Sequence, residues 1–436
     1  MFVDRFFNFL NRRKRFPYIF VSPLLYAIGN CAEEIYFGLL KARKENKKLI
    51  ILRPYYTPFI LGYRICNKEL FNIRSVYCNI RFRIIIEHFF KMLFSLIFIP
   101  LRILSLAKKT IWGNMLPIEY NFPRVGFETL WQGSNREHKF HWRTVRLLKW
   151  KNQFESPIKV SITEKRHKRA RDELAELGVT DDDWFVCLHV REGGFRKDHV
   201  RRPYRNADIY NYLPAINEIV DQGGWVIRMG DSTMKPLPAI RRVIDYPFTP
   251  YKSEWMDLYL IKECRFYIGC QSGIYDAAVL FNKRILLVNM YNWTFGYPLR
   301  KGDLGIIKHV YSKRRKRYLS VKELFVGPWD LQNTAAYLGE DYEMIENQPE
   351  EIRELTVEFL DKQSRSDYSD LQAEANKVRI KHSYMLFSSG DQPLGENIRD
   401  MPLAQQYRYA SRIETSMGVL GQKFLEKNWE TNSNNI

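Results

Sequence analysis

The pattern of apolar and polar positions along the chain predicts strands that alternate with helices. This alternation is typical of parallel α/β domains. The first such unit begins with the apolar run Tyr18–Val21. A loop containing Gly29 and Asn30 follows, then a helical pattern over 32–44 and a second apolar run over 48–52. This order predicts an α/β domain in the N-terminal part of the chain.

The middle of the chain repeats the alternation more clearly. A charged helical pattern over 165–177 stops at Gly178, which suits the left-handed conformation that often ends helices. The elements predicted after it are strand 184–190, helix 214–221, strand 225–229, strand 240–244, helix 254–263, strand 265–268, helix 272–281 and strand 284–289. Buried parallel strands appear as continuous apolar runs. We therefore predict a doubly wound domain over about 165–345.

The length of 436 residues fits two domains of ordinary size plus an extension. We divide the chain into an α/β domain at 1–160, a second α/β domain at 161–345 and a helical C-terminal extension at 346–436. The helical patterns in that extension cover 349–362, 371–381 and 407–428. No strand is predicted after about residue 345.

The formal charge of +19 predicts attraction to something anionic, either phosphate-bearing substrates, an acidic lipid surface or nucleic acid. The basic residues cluster at 12–15, 165–171 and 313–317. Each cluster is equally compatible with a solvated loop or helix face.

The six cysteines are scattered, without the CxxC spacing of a zinc site. Cys78, Cys187 and Cys264 sit among apolar residues. They predict buried thiols in a reducing compartment and not a disulfide framework.

The most apolar stretch, 92–101, is too short to span a bilayer, which takes about 20 such residues. No cleavable signal peptide is predicted. Aromatic residues over 2–10 precede the basic run 12–15, and basic residues also surround 82–109. The latter segment predicts either core packing or an interfacial membrane face. We expect a cytoplasmic protein that binds peripherally to an anionic membrane surface.

Ligands of open parallel sheets bind at the carboxyl ends of the strands. The candidate ligand-binding residues follow three predicted strands and are His189, Arg191 and Gly193, then Arg228, Gly230 and Asp231, then Ser272 and Gly273. Arginines fork onto phosphate oxygens, glycines admit close backbone approach, and a helix N-terminus favours an anion. The set predicts a nucleotide or phosphosugar site.

Some of these residues have a second interpretation. His189 either donates to a phosphate or packs in the core, and Asp231 either binds a ribose or nucleobase or caps a turn. The chain contains neither GxxxxGK[ST] nor GxGxxG, which disfavours a P-loop or dinucleotide site. The acidic run 181–183 precedes a strand, at the sheet edge opposite the predicted site. We interpret it as a solvated turn and predict no metal and no cofactor.

The motifs together resemble a known family. The residues concerned are His189-Val190-Arg191-Glu192-Gly193-Gly194, Tyr204-Arg205-Asn206-Ala207, residues 223–231, Tyr267-Ile268-Gly269 and Ser272-Gly273, with weaker similarity up to 346–352. They resemble a family of bacterial glycosyltransferases encoded among surface-polysaccharide genes. The first motif is also similar to the His-x-Arg-x-Gly stretch of protein O-fucosyltransferases, whose Arg-Gly-Asp ending is replaced here by Glu192-Gly193-Gly194.

The resemblance implies a GT-B-like fold, in which two Rossmann-like domains with parallel sheets face a cleft. It implies transfer of a sugar from a nucleotide-activated donor to a polysaccharide or glycan acceptor. The donor is expected to bind to 161–345. The acceptor is expected to be linked to a lipid and to bind on the side of 1–160. In the O-fucosyltransferases the arginine that corresponds to Arg191 serves the donor phosphates and the leaving group. Metal-independent transfer is predicted, because the sequence places no credible carboxylate cluster at the carboxyl edge of the sheet.

Without a metal, the departing nucleoside diphosphate is expected to be stabilised by Arg191, Arg228 and the helix start at Ser272. The catalytic base is predicted to be Glu34 or Glu33, because both follow the Gly29-Asn30 loop at a helix start. Their alternative role is to favour the first helical turn. Glu192 and Asp198 compete for the assignment as base.

Two other classes of function fit part of the pattern. One is another phosphosugar enzyme on the same architecture, such as a sugar-nucleotide epimerase or a polysaccharide pyruvyltransferase. The other is a nucleic-acid-binding protein, which the charge of +19 and the aromatic content of 15% would suit. The basic clusters lie far apart in sequence and no recognisable binding module is present, so no nucleic-acid partner is expected.

Overall fold

The computed structural model of the chain describes residues 15–21, 23, 28–51, 66–79, 157–194, 203–291, 293, 300–326, 342–361, 368–388 and 418–430. It divides into two compact units, one comprising Met1–Asn135 and Ile158–Glu164 and the other Arg136–Pro157 and Lys165–Ile436. The predictions for 2–10 and 82–109, and for Asp198, lie outside the described residues.

In the first unit, β1 (Tyr18–Val21), α1 (Ile28–Lys44) and β2 (Lys48–Ile51) form the predicted strand–helix–strand unit. The two strands pair in parallel, as the order predicted. The helix begins at Ile28 and not at 32, so the expected loop at Gly29 and Asn30 is its first turn. Both residue types are tolerated there, because the first N–H groups of a helix have no intrahelical partner.

The second unit contains a seven-stranded parallel sheet and a three-stranded antiparallel sheet. Its strands are β3 (Phe185–His189), β4 (Trp225–Arg228), β5 (Val243–Asp245), β6 (Phe266–Gly269), β7 (Arg284–Met290), β8 (Leu304–Ile307), β9 (His309–Ser312), β10 (Arg317–Tyr318), β11 (Tyr342–Ile345) and β12 (Val419–Leu420). Its helices are α2 (Glu164–Glu176), α3 (Leu213–Asp221), α4 (Glu254–Glu263), α5 (Gly273–Leu280), α6 (Val321–Val326), α7 (Pro349–Asp361), α8 (Asp370–Ser388) and α9 (Gln422–Asn428).

The large sheet has the order β12-β8-β7-β6-β3-β4-β5. From β3 the chain winds outward through β4 to β5, returns to β6 on the other side of β3, and winds outward again. This is the doubly wound order predicted from the sequence. All five residues of β3 are buried, as expected for a central strand covered by helices on both faces.

Two local signals in the sequence are confirmed. Gly178 has φ +90°, and the Val179 N–H donates to the Leu174 carbonyl at 3.0 Å, the bond of a Schellman motif. Pro214 lies in the first turn of α3, where its missing N–H costs nothing.

Other predictions are corrected. The strand expected at 240–244 is Val243–Asp245, because Arg242 adopts φ +59° and interrupts the extended backbone. Four strands, β8 to β11, lie in a region without predicted strands. Cys78 is half-buried and not buried.

The segment after residue 345 is not helical throughout. β12 pairs in parallel with β8 inside the range predicted as helix 407–428, of which α9 is the described helical part. α7 packs against the sheet, with the Phe359 and Phe266 ring centroids 5.0 Å apart. Among the helices that the structure describes, none is both long and apolar enough to cross a membrane.

Candidate functional site

The chain order of the large sheet reverses between β3 and β6, and this reversal brings two predicted groups of residues together. β3 ends at His189 and β6 ends at Gly269, and the two residues are partners in the strand register. The Cys270 N–H donates to the His189 carbonyl at 3.2 Å. Doubly wound domains bind their ligands beside such a reversal, at the carboxyl ends of the strands.

The two strand ends approach so closely that only glycine fits at the end of β6. A Cβ atom on Gly269 would lie 2.1 Å from the carbonyl oxygen of His189, and the residue has φ +159°. The sequence predicted a glycine for close approach of a ligand; the close approach seen here is that of the neighbouring strand.

His189 and Ser272 form a buried polar pair at this reversal. The Oγ of Ser272 lies 3.0 Å from Nδ1 of His189, and both residues are less than a tenth exposed. Ser272 occupies the N-cap position of α5, but its side chain makes no capping bond. The expectation that it caps the helix is therefore corrected, because its hydroxyl bonds the imidazole instead.

Burial, reinforced by the positive charge of Arg228, lowers the pKa of His189 to about 3. The ring is therefore neutral near pH 7 and presents one donor and one acceptor nitrogen. Such a ring can hydrogen-bond a phosphate oxygen, but it cannot form an ion pair with one.

Arg191 lies just beyond β3, where the sequence placed it. Its backbone N–H donates to the Cys270 Sγ at 2.9 Å, and its guanidinium donates to the side-chain oxygen of Asn206. The residue is 9% exposed. Arg191 is thus anchored at the end of β3 beside the loop that follows β6.

Lys308 belongs to the same sheet edge, although sequence reasoning did not select it. It follows β8 directly, is 2% exposed, and its Nζ donates to the backbone carbonyl of Asn206 at 2.6 Å. Burial lowers the pKa of Lys308. The sequence signal was a four-residue run, Leu304–Ile307, which is too short and too close to Gly302 to be recognised as a strand.

An aromatic side chain flanks this edge after β7. The ring of Tyr291 lies 5.3 Å from the ring of Tyr204 in an edge-on arrangement. The guanidinium of Arg205 lies 5.2 Å from the centroid of the same ring. Tyrosine and arginine planes of this kind are suited to contact a nucleobase or a sugar ring.

Arg228 ends β4 at the same edge and is buried there. It is 0% exposed, and its guanidinium donates to Asp245 at 2.7 Å, to Glu192 at 3.2 Å and to the Lys235 carbonyl at 3.0 Å. These contacts engage Arg228 within the fold, and its role in binding donor phosphates stays a prediction. Its contacts hold the loops after β3 and β4 to β5.

Glu192, a competitor for the role of base, belongs to the same cluster. Its other carboxylate oxygen accepts from the Lys235 N–H at 2.8 Å. Both carboxylate oxygens of Glu192 are thus engaged within the fold.

The residues after β4 form a tight turn. Asp231 accepts from the N–H and the hydroxyl of Thr233 at 2.9 and 2.6 Å, which matches its turn-capping interpretation. A Cβ atom on Gly230 would lie 2.1 Å from the Met234 Sδ.

Gly193 lies in the turn after β3, and Gly273 is the first residue of α5.

The predicted bases Glu33 and Glu34 lie in the first unit, on α1. Because the helix begins at Ile28, they occupy its second turn and not its start. They are 7% and 8% exposed. Their role as base stays a prediction.

The acidic run 181–183 closes a turn before β3, with Asp183 accepting from the Thr180 N–H and hydroxyl at 3.0 and 2.9 Å. Within the described ranges, no group of three or more His, Cys, Asp or Glu side chains is arranged to hold a metal ion.

The fold and the site define a doubly wound α/β domain whose polar residues gather at the reversal of strand order. The chain matches no protein-family model and no curated protein. Among solved structures, it is similar to a glycosyl transferase of family 9 from Veillonella parvula, with 12% sequence identity and a TM-score of 0.25. The similarity covers 33% of this chain and 40% of that chain.

Proposed function

We propose that the protein is a glycosyltransferase that takes a sugar from a nucleotide-activated donor. The observation that carries this proposal is the convergence of His189, Arg191 and Ser272 at the β3–β6 reversal. The position is the one at which doubly wound domains bind nucleotides. The motif around His189 and Arg191 also resembles that of sugar-transferring enzymes, which favours transfer over epimerisation or pyruvyl transfer.

In the proposed mechanism, the chain stabilises the departing nucleoside diphosphate by preorganised donors. Arg191 supplies charge and a forked set of N–H groups. His189 supplies a neutral hydrogen bond, oriented by Ser272. Donors aimed at developing negative charge lower the barrier because they need no reorganisation during the reaction. Glu33 or Glu34 is proposed to deprotonate the acceptor hydroxyl.

The experiment begins with a thermal-shift screen of nucleoside diphosphates and CMP, because a ligand that binds the folded state stabilises it. The nucleotide that stabilises the protein then defines the sugar donor for an assay of nucleoside diphosphate release. Transfer releases this product, whereas epimerisation does not. We propose that turnover persists after extensive chelation; complete loss that manganese or magnesium restores would contradict metal independence.

Arg191→Ala should reduce turnover by about 100-fold or more, the scale of losing one preorganised donor to a transition state. The matched control is Arg315→Ala, since Arg315 is half exposed and pairs with Glu323. Circular dichroism and the melting temperature of both variants establish that they are folded. Near-normal turnover of folded Arg191→Ala would remove the main support for this function.

The acceptor is proposed to be a polysaccharide or glycan precursor linked to a lipid at the cytoplasmic face of a membrane. The support is the excess of basic residues and the resemblance to enzymes encoded among surface-polysaccharide genes.

A further inference from the structure

Lys308 is a buried cation that forms no salt bridge with any residue that the structure describes. Its ammonium group donates a hydrogen bond to the Asn206 carbonyl. Glu346 contributes a favourable charge from beyond salt-bridge distance. The Glu346 carboxylate already accepts from the Asp208 N–H at 2.8 Å and from Asn211 at 3.2 Å. Buried lysines are rarely left in this state.

Arg205 is a half-buried cation at the same edge. Its guanidinium stacks on Tyr291, while its Nε is buried and has no hydrogen-bond partner. Within the part of the chain that the structure describes, it forms no salt bridge. A buried N–H without an acceptor costs free energy, so an acceptor from outside the chain would stabilise this arrangement.

Lys308 and Arg205 lie near Arg191, at the end of β6. Asn206 accepts from Lys308 through its backbone carbonyl and from Arg191 through its side chain. Burial raises the pKa of the Cys270 thiol, and the charges of Lys308, Arg191 and Arg205 all oppose that rise. Three positive groups therefore surround the end of β6, and their mutual repulsion favours an anion between them.

We propose that Lys308 and Arg205 form a subsite for a pyrophosphate group, so that the donor is a nucleoside diphosphate sugar. This inference rests on the proposed function, whose leaving group is a nucleoside diphosphate. It adds two residues that hold the pyrophosphate and that favour such a donor over a CMP-sugar. A pyrophosphate linkage carries a negative charge on each of its phosphates, whereas the phosphodiester of a CMP-sugar carries a single charge. Several cations at one place match the former, and the Tyr291 ring lies beside them for the attached nucleoside or sugar.

The test uses inorganic pyrophosphate and the full chain, with binding measured by isothermal titration calorimetry in buffer containing a chelator. Lys308→Met keeps the aliphatic stem and removes the charge. It should weaken pyrophosphate binding by about 10- to 100-fold, the range for hydrogen bonds to charged groups. Replacing a buried charge by an apolar group of similar volume is often tolerated. Lys322→Met, at an exposed lysine paired with Glu430, is the matched control and should bind like the wild type.

Arg205→Gln is the second variant and should weaken binding to a similar extent, with Arg315→Gln as its control. If Lys308→Met does not fold, Arg205→Gln alone tests the proposal. Wild-type binding of pyrophosphate no tighter than of orthophosphate, or unchanged binding in folded Lys308→Met and Arg205→Gln, overturns the proposal. Pyrophosphate binding that depends on both residues, without sugar transfer from any nucleotide donor, supports the subsite and contradicts the glycosyltransferase.

Discussion

Individual residues at the carboxyl edge differ in how the fold holds them. Arg228 was indistinguishable from Arg191 in the sequence, because each is an arginine at the end of an apolar run. The partners of Arg228, namely Asp245 and Glu192, lie 17 and 36 residues away in sequence. Only the folded chain shows that one arginine is neutralised internally.

His189 leads to a prediction about pH. Its folded pKa of about 3 lies below the ordinary value of 6.5, so the unfolded chain binds more protons between these values. The stabilising effect of the neutral ring is therefore fully present above about pH 6.5 and is lost as the pH falls towards 3. Over that interval the wild type should lose roughly 5 kcal/mol of unfolding free energy relative to His189→Gln.

Urea unfolding of both proteins at several pH values measures this difference. The control is His167→Gln, because His167 is a partly exposed residue on α2 beside Glu263. A stability difference between wild type and His189→Gln that is independent of pH would show that the ring is not buried in its neutral form.

At the scale of elements, the reversal between β3 and β6 depends on one glycine. Gly269→Ala should destabilise the protein by more than about 3 kcal/mol, because the new Cβ meets the His189 backbone at 2.1 Å and overpacking against fixed atoms is costly. Gly223 is a matched control, since its φ is +83° but nothing lies within 4 Å of an added Cβ.

Gly223→Ala should cost only the left-handed backbone conformation, about 1–2 kcal/mol. Chemical denaturation of both variants gives the comparison. Equal destabilisation of the two would mean that the backbone conformation, and not the contact of β6 with β3, decides the residue at position 269.

The strands of the large sheet differ in how well the sequence pattern predicts them. β3, β4, β6 and β7 are apolar runs next to strong turn or helix signals, and they were predicted close to their observed limits. β12 has two residues and exists because β8 offers it a partner. A strand that short has no periodicity of its own, and its formation depends on tertiary pairing.

Across the whole molecule, the basic residues that produce the charge of +19 differ in their acidic partners. In the cluster 165–171, Arg169 pairs with Glu173 and Arg171 with Asp181. In the cluster 313–317, Arg315 and Arg317 share Glu323. Both clusters are thus partly neutralised within the second unit, and the prediction that 12–15 meets an anionic surface stays a prediction.

We expect the protein to bind anionic liposomes through residues 2–15 and 89–106, because apolar side chains enter the interface and each basic residue adds about 1 kcal/mol. Liposome flotation should show binding with acidic lipid that weakens in high salt. Replacing Phe6, Phe7 and Phe9 by serine should reduce it, while Arg315→Ala, within 313–317, should not. Binding that ignores lipid charge would contradict the proposed location.

The sequence by itself determined the order of strands and helices over 165–289 of the doubly wound domain. It also placed the polar residues, because apolar runs and their stops are local properties and parallel strands share their carboxyl edge. Only the tertiary structure decided which of those residues meet. It buried Arg228 among carboxylates, turned Ser272 towards His189 and brought Lys308 to Asn206. These outcomes depend on contacts between distant segments, which no local pattern encodes.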